Sequence, residues 1–146
     1  MDLNNIVINT IYIAIIFLLS GILHELSHLI ICIILKCKVK EFKFFIFKII
    51  NENQKYHLKI DIKSSEHCSF YTNNLKKVIA IMSAGPIMSF LLVILFGIML
   101  INRVTPVVVC GLIYNIVIVI SSILPYSKGD GYCIKESLME LKKNIV

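Results

Sequence analysis

The chain has 146 residues and a mass of 16.6 kDa, enough for one domain and too little for two of ordinary size. Its hydrophobic fraction is 58%, its charged fraction 16% and its mean hydropathy +0.84, where soluble domains run at about 45–50% apolar and about 25% charged. An ordinary cytosolic globule is thereby excluded. So is a disordered chain, because Ile, Leu, Val and Phe dominate.

What remains is an integral membrane protein with the lipid bilayer as its surroundings. The net charge of +6 does not point to nucleic acid, because ten of the fifteen basic residues fall between Lys36 and Lys77 beside four acids, so that one loop carries all of it. A basic loop between spans is what the positive-inside rule produces, and no nucleic acid is expected as a partner. The five cysteines are an odd number without a CxxC, as free thiols of a reducing or lipid-buried setting would be.

Leu3 to Leu23 carries no charge, about the length needed to cross a bilayer core, and the apolar character resumes from Leu29 to Leu35. The first spanning helix is therefore predicted over 3–35, interrupted by His24, Glu25, Ser27 and His28. A cleaved signal peptide would begin with basic residues, and this segment begins Met1, Asp2, Leu3, Asn4. In 39–63, Tyr56, Leu58, Ile60 and Ile62 alternate with polar residues, and 51–54 is a polar break, so a β-hairpin at the membrane surface is expected. Its role is either packing alone or something more.

Further spans are expected over 76–101 and 104–124, then a breaker-rich loop from Pro125 and a short amphipathic helix within 125–146. The expected fold is all-α and polytopic: three transmembrane helices, a surface hairpin between the first two and a C-terminal amphipathic helix, in one domain over 1–146. With the basic loop in the cytoplasm, the N-terminus lies outside the cell membrane and the tail, with its four lysines, inside.

His24, Glu25, Leu26, Ser27, His28 reads H-E-x-x-H on a helix. Four residues apart, the imidazoles share one face and can reach one metal ion, while Glu25 is set off around the helix toward a metal-bound water. A carboxylate inside a spanning helix costs on the order of 3 kcal/mol on insertion scales, and such residues mark function or snorkel at the interface. Catalytic zinc takes three protein ligands and keeps one position open. Helix three runs parallel to helix one, and its matching end carries Asp130, the best third ligand of the three aspartates by topology; Gly-Asp-Gly is also ordinary turn chemistry. Ser83, Ala84, Gly85, Pro86 and Ser89 of helix two lie at the depth of the histidines, either packing beside a metal site or packing in the ordinary way around a proline kink. Ser27, Ser83 and Ser89 together suggest a polar notch that admits water.

These motifs in this order, HELSH, SAGPIMS and LPYSKGDG, resemble the site-2 protease family of intramembrane zinc metalloproteases, whose three-helix core carries HExxH, a GPxxN-type patch and NxxPxxxxDG. The resemblance covers essentially the whole chain. It implies that His24, His28 and Asp130 hold one zinc ion, that Glu25 is the catalytic acid/base activating a zinc-bound water, and that the hairpin is similar to a β element those enzymes use to engage substrate. The substrate would be a membrane-embedded or membrane-associated peptide or protein. Where the family has asparagines that hold substrate backbone, this chain has Ser89 and Ser122; Asn115, seven residues before Ser122 on nearly the same face, is a possible stand-in. At 146 residues the chain is expected to be a minimal core without a regulatory domain. The rival reading is a non-catalytic immunity or scaffold protein with a structural metal or none.

Overall fold

The computed structural model describes residues 3–44, 47–52, 55–60, 67–125 and 129–143. Three helices are long and apolar enough to cross a membrane: α1 (Leu3–Ile34), α2 (Leu75–Asn102) and α3 (Pro106–Ile123). The order of elements along the chain is α1, four strands, α2, α3 and a shorter helix α4 (Asp130–Lys143).

α1 is mostly polar inside and apolar outside. On α1 the buried residues are Ser20, His24, Ser27, His28 and Cys32, one stripe at helical spacing, while Ile11, Ile15, Leu18, Leu19 and Ile30 point outward. Lipid explains this inversion, since an outward isoleucine costs nothing in hydrocarbon and a polar group must find a partner within the bundle. Small residues bring the backbones together: Gly111 of α3 lies against the Phe96 ring, where an added Cβ would stand 2.7 Å from the ring edge. Phe17 and Tyr114 stack at 4.1 Å between α1 and α3.

The ends of the helices set their register. α1 closes with the N–H of Cys37 donating to Cys32 O and that of Lys36 to Ile33 O, a Schellman arrangement with Lys36 at φ 54° in a conformation glycine more often takes. Lys77 Nζ, in the first turn of α2, donates to Leu35 O at 2.7 Å and so ties the end of α1 to the start of α2. Asn74 caps α2 by accepting from the N–H groups of Lys76 and Lys77, and Thr105 caps α3 ahead of Pro106. Leu124 and Pro125 end α3 one residue short of the expected 124.

Between α1 and α2 lies a sheet of four strands where a hairpin was expected. β1 (Lys38–Phe44), β2 (Phe47–Glu52), β3 (Lys55–Ile60) and β4 (His67–Tyr71) pair antiparallel in the order β3-β2-β1-β4. Of the break expected at 51–54, Asn51 and Glu52 belong to β2 and pair with Tyr56 and Lys55 of β3, and 53–54 lie outside the described residues. The long arm over 39–50 is itself divided between two strands, β1 and β2, paired antiparallel with Phe44 opposite Phe47, in an apolar stretch whose sequence gives no turn signal. The last expected hairpin residues, 61–63, lie outside the described residues. A bulge between Val39 and Glu41 turns both Val39 and Phe42 toward Cys32, Ile81 and Phe70, which fastens the sheet to the adjoining ends of α1 and α2. On the strands, Lys48 Nζ pairs with Glu41 Oε1 at 2.7 Å.

α4 begins at Asp130 itself, so this residue is the first of a helix where a loop was expected. Gly129 O accepts from the N–H groups of Tyr132 and Cys133 and opens the helix, which then packs along α2. Gly131 permits the approach: a Cβ there would collide with Ile123 O and stand 2.9 Å from Leu124 O, both rigid backbone at the end of α3. We expect Gly131→Ala to displace the start of α4 and Asp130 with it. Zinc affinity of the purified variant should fall although Gly131 is no candidate ligand, and an unchanged affinity would show that α4 tolerates the shift.

Candidate metal centre

His24 and His28 face inward from α1, with their ring centroids 5.1 Å apart and nearly perpendicular. Asp130 arrives from α4, over a hundred residues later, and places Oδ2 3.2 Å from His24 Nε2 and 3.4 Å from His28 Nε2. Both imidazoles thus turn the same nitrogen toward one carboxylate oxygen. Burial alone would raise the Asp130 carboxyl, but the two imidazoles outweigh it and hold it down at about 2, so the group is a carboxylate at any ordinary pH. Glu25 stands beside the group, half-buried: its carboxylate and a ring nitrogen of each histidine lie within 4.8 Å of one another.

The other nitrogen of each ring is held from α2. His28 Nδ1 donates to Ile81 O at 2.7 Å, and His24 Nδ1 lies 2.8 Å from Ser89 Oγ. Pro86 lies just beyond in the same helix, where it has no N–H to give to Met82 O, the carbonyl next to that of Ile81. Between these two contacts α2 presents Gly85, with nothing but backbone. A Cβ built on it would meet His28 Nε2 and stand 2.5 Å from His24 Nε2, in the space the two nitrogens face.

Two imidazole nitrogens and one carboxylate oxygen, each ring oriented from behind by a hydrogen bond, match the donor set and outer-shell arrangement of a catalytic zinc site. The space above Gly85 is open for an ion only because the residue is glycine. The residues present therefore fit the metal that the sequence implies.

Two grooves flank α2. One, of 530 Å³, is lined by Pro86, Ile87, Ile123, Gly131 and Leu138 with Ser83 and Lys135, so that it includes the chain neighbours of Gly85 and Asp130. The other, of 240 Å³, runs between α1 and α2 past Ser27, Ala84 and Met88. The three serines expected to share one notch are thus parted: Ser83 and Ser27 line different grooves, Ser27 Oγ donates to His24 O, and Ser89 is wholly buried.

Of the residues expected to hold substrate backbone, Ser89 and Asn115 are both 0% exposed. Asn115 Nδ2 donates to Ser20 Oγ at 3.1 Å and to Gly111 O at 2.8 Å, which places it one turn beyond His24 in the contact between α1 and α3. Ser122, half-buried near the end of α3, enters none of the hydrogen bonds around the histidines. Sequence reasoning missed Ser20 and the Ile81 carbonyl. Ser20 could have been found, since it precedes His24 by four residues on the same face; the carbonyl had no signal beyond the nearby proline.

The family model of peptidase family M50 matches residues 12–145, which takes in α1 from Tyr12 onward and every later strand and helix. No curated protein and no solved structure matches the chain. A match of that extent, over a chain with three helices fit to span a membrane and an H-E-x-x-H facing an aspartate, leaves one assignment: the chain belongs to peptidase family M50, the site-2 protease family of zinc-dependent metallopeptidases.

Proposed function

We propose that the chain is an intramembrane zinc endopeptidase that hydrolyses a peptide bond in or near the spanning segment of a membrane-embedded or membrane-associated peptide or protein. The observation that carries this reading is the convergence of His24 Nε2, His28 Nε2 and Asp130 Oδ2 over Gly85. These three groups would hold one zinc ion, which supplies Lewis-acid polarisation of the scissile carbonyl and acidifies water at the site. Glu25, beside the histidines, takes the proton from the attacking water and returns it to the leaving amine as the C–N bond breaks. The apolar walls of α2, α3 and α4 keep bulk water away from the carboxylates and strengthen their interactions. Ser122 and Asn115 are proposed to act on substrate backbone only after it has displaced the present packing.

The 530 Å³ groove past Pro86 and Gly131 offers an apolar segment a way toward the site. A bulkier side chain there, Leu138→Trp, should slow cleavage and leave zinc content unchanged; equal rates would move the substrate path elsewhere. β3 is an edge strand of the sheet, and its exposed backbone can pair with an extended segment. Proline at alternate positions of β3 should slow cleavage without loss of zinc. By the positive-inside rule, the end of the bundle that carries the sheet and α4 lies in the cytoplasm.

The experiment that tests the reading is metal content per chain in detergent-purified wild type, His28→Ala and Asp130→Ala. About one zinc in the wild type, weakened or lost in both variants, is expected. A folded wild type without zinc would leave the scaffold reading in its place.

A further inference from the structure

Three positions of α2, Ile81, Gly85 and Ser89, follow one another at four-residue intervals and so share one face of the helix. That face meets the two imidazoles. Ile81 O holds His28 through Nδ1, Gly85 leaves the space before both Nε2 atoms, and Ser89 Oγ stands behind His24 at Nδ1. A single turn, Gly85 to Ser89, therefore touches opposite ends of the His24 ring.

We propose that Ser89 is a positioning residue for the metal, holding the His24 ring through Nδ1 in place of contacting substrate. This rests on the zinc-peptidase reading above. Ser89 Oγ is 2.8 Å from the ring nitrogen, and the serine is 0% and the histidine 8% exposed, so within the closed bundle the hydroxyl has a partner and no path to a substrate chain.

The two ring contacts differ in chemistry. A carbonyl only accepts, so Ile81 fixes His28 with its proton on Nδ1. A hydroxyl both donates and accepts, so Ser89 stays bonded to His24 in either tautomer. With zinc at Nε2, Nδ1–H donates to Oγ. With zinc gone, Nε2–H donates to Asp130 Oδ2, 3.2 Å away, and Oγ donates to Nδ1. The proton changes sides with no change in ring charge, no buried nitrogen is left bare, and the ring keeps its place while the site is empty.

The test is zinc affinity, measured by competition with a chromophoric chelator, for wild type, Ser89→Ala and Ser89→Thr in detergent, with nitrogen NMR of ¹⁵N-histidine-labelled protein. We expect Ser89→Ala to bind zinc about 10- to 100-fold more weakly, as loss of a partner behind a ligating histidine does, and Ser89→Thr to recover most of the loss. In the wild type, adding zinc should move the His24 proton from Nε2 to Nδ1, while His28 carries it on Nδ1 throughout.

Equal affinity of Ser89→Ala and wild type overturns the proposal, as does a threonine variant that is folded but as weak as the alanine. Should the variants fail to fold, the wild-type spectra decide alone: a His24 Nδ1 without a proton in the zinc-loaded protein overturns it. A wild type that binds no zinc sinks the peptidase reading instead, so the two failures are distinct.

Discussion

Gly85→Ala is expected to abolish zinc binding while leaving the helices intact. The added methyl would stand 2.5 Å from His24 Nε2 and still nearer His28 Nε2, in the volume an ion must occupy. Both imidazoles are pinned from behind and cannot retreat without breaking the bonds to Ile81 O and Ser89. Loss of helix stability is no rival explanation, since alanine is a better helix former than glycine by about 1 kcal/mol. The measurement is zinc per chain together with far-ultraviolet circular dichroism. An unaltered spectrum with zinc near zero is the expected pair of results; full zinc occupancy in the variant would place the metal elsewhere.

Glu25→Gln is expected to keep the metal and lose the reaction. Glutamine is nearly isosteric, so packing on α1 and the positions of the histidines on either side should persist. It cannot take a proton from water, and general acid–base catalysis by a positioned side chain contributes about 10²- to 10⁴-fold to a rate. Cleavage of a membrane peptide substrate should fall by that order at unchanged zinc content. The same variant separates the enzyme from a scaffold, whose structural metal has no use for a base. Cleavage at the wild-type rate by Glu25→Gln would remove the residue from the chemistry.

The spanning helices were legible in the sequence because length and hydropathy are enough to define a span in lipid, and the boundaries fall within two residues of expectation. The H-E-x-x-H face was equally legible, being local: four residues along a helix is one turn. Asp130, over a hundred residues away, could be matched to it through topology, by counting which helix ends lie at the same side of the bundle, and through the resemblance of its DG motif. Two things were hidden. One is the division of 39–50 between two paired strands, in a stretch of phenylalanine and isoleucine that gives no turn signal. The other is the inward commitment of Ser89 and Asn115, because a sequence shows that a residue is polar and on a given face, but not which neighbour reaches it first.

The candidate ligands are far apart in the order of synthesis. His24 emerges from the ribosome 106 residues before Asp130, which follows only after both later spans and belongs to α4, not among the candidate membrane spans. A nascent chain therefore passes through translation and insertion with its histidines in place and its carboxylate missing. The candidate metal centre is complete only with α4 packed along α2. On the peptidase reading proposed above, a partly inserted intermediate would lack the third ligand, and completing the fold would be what arms the protein.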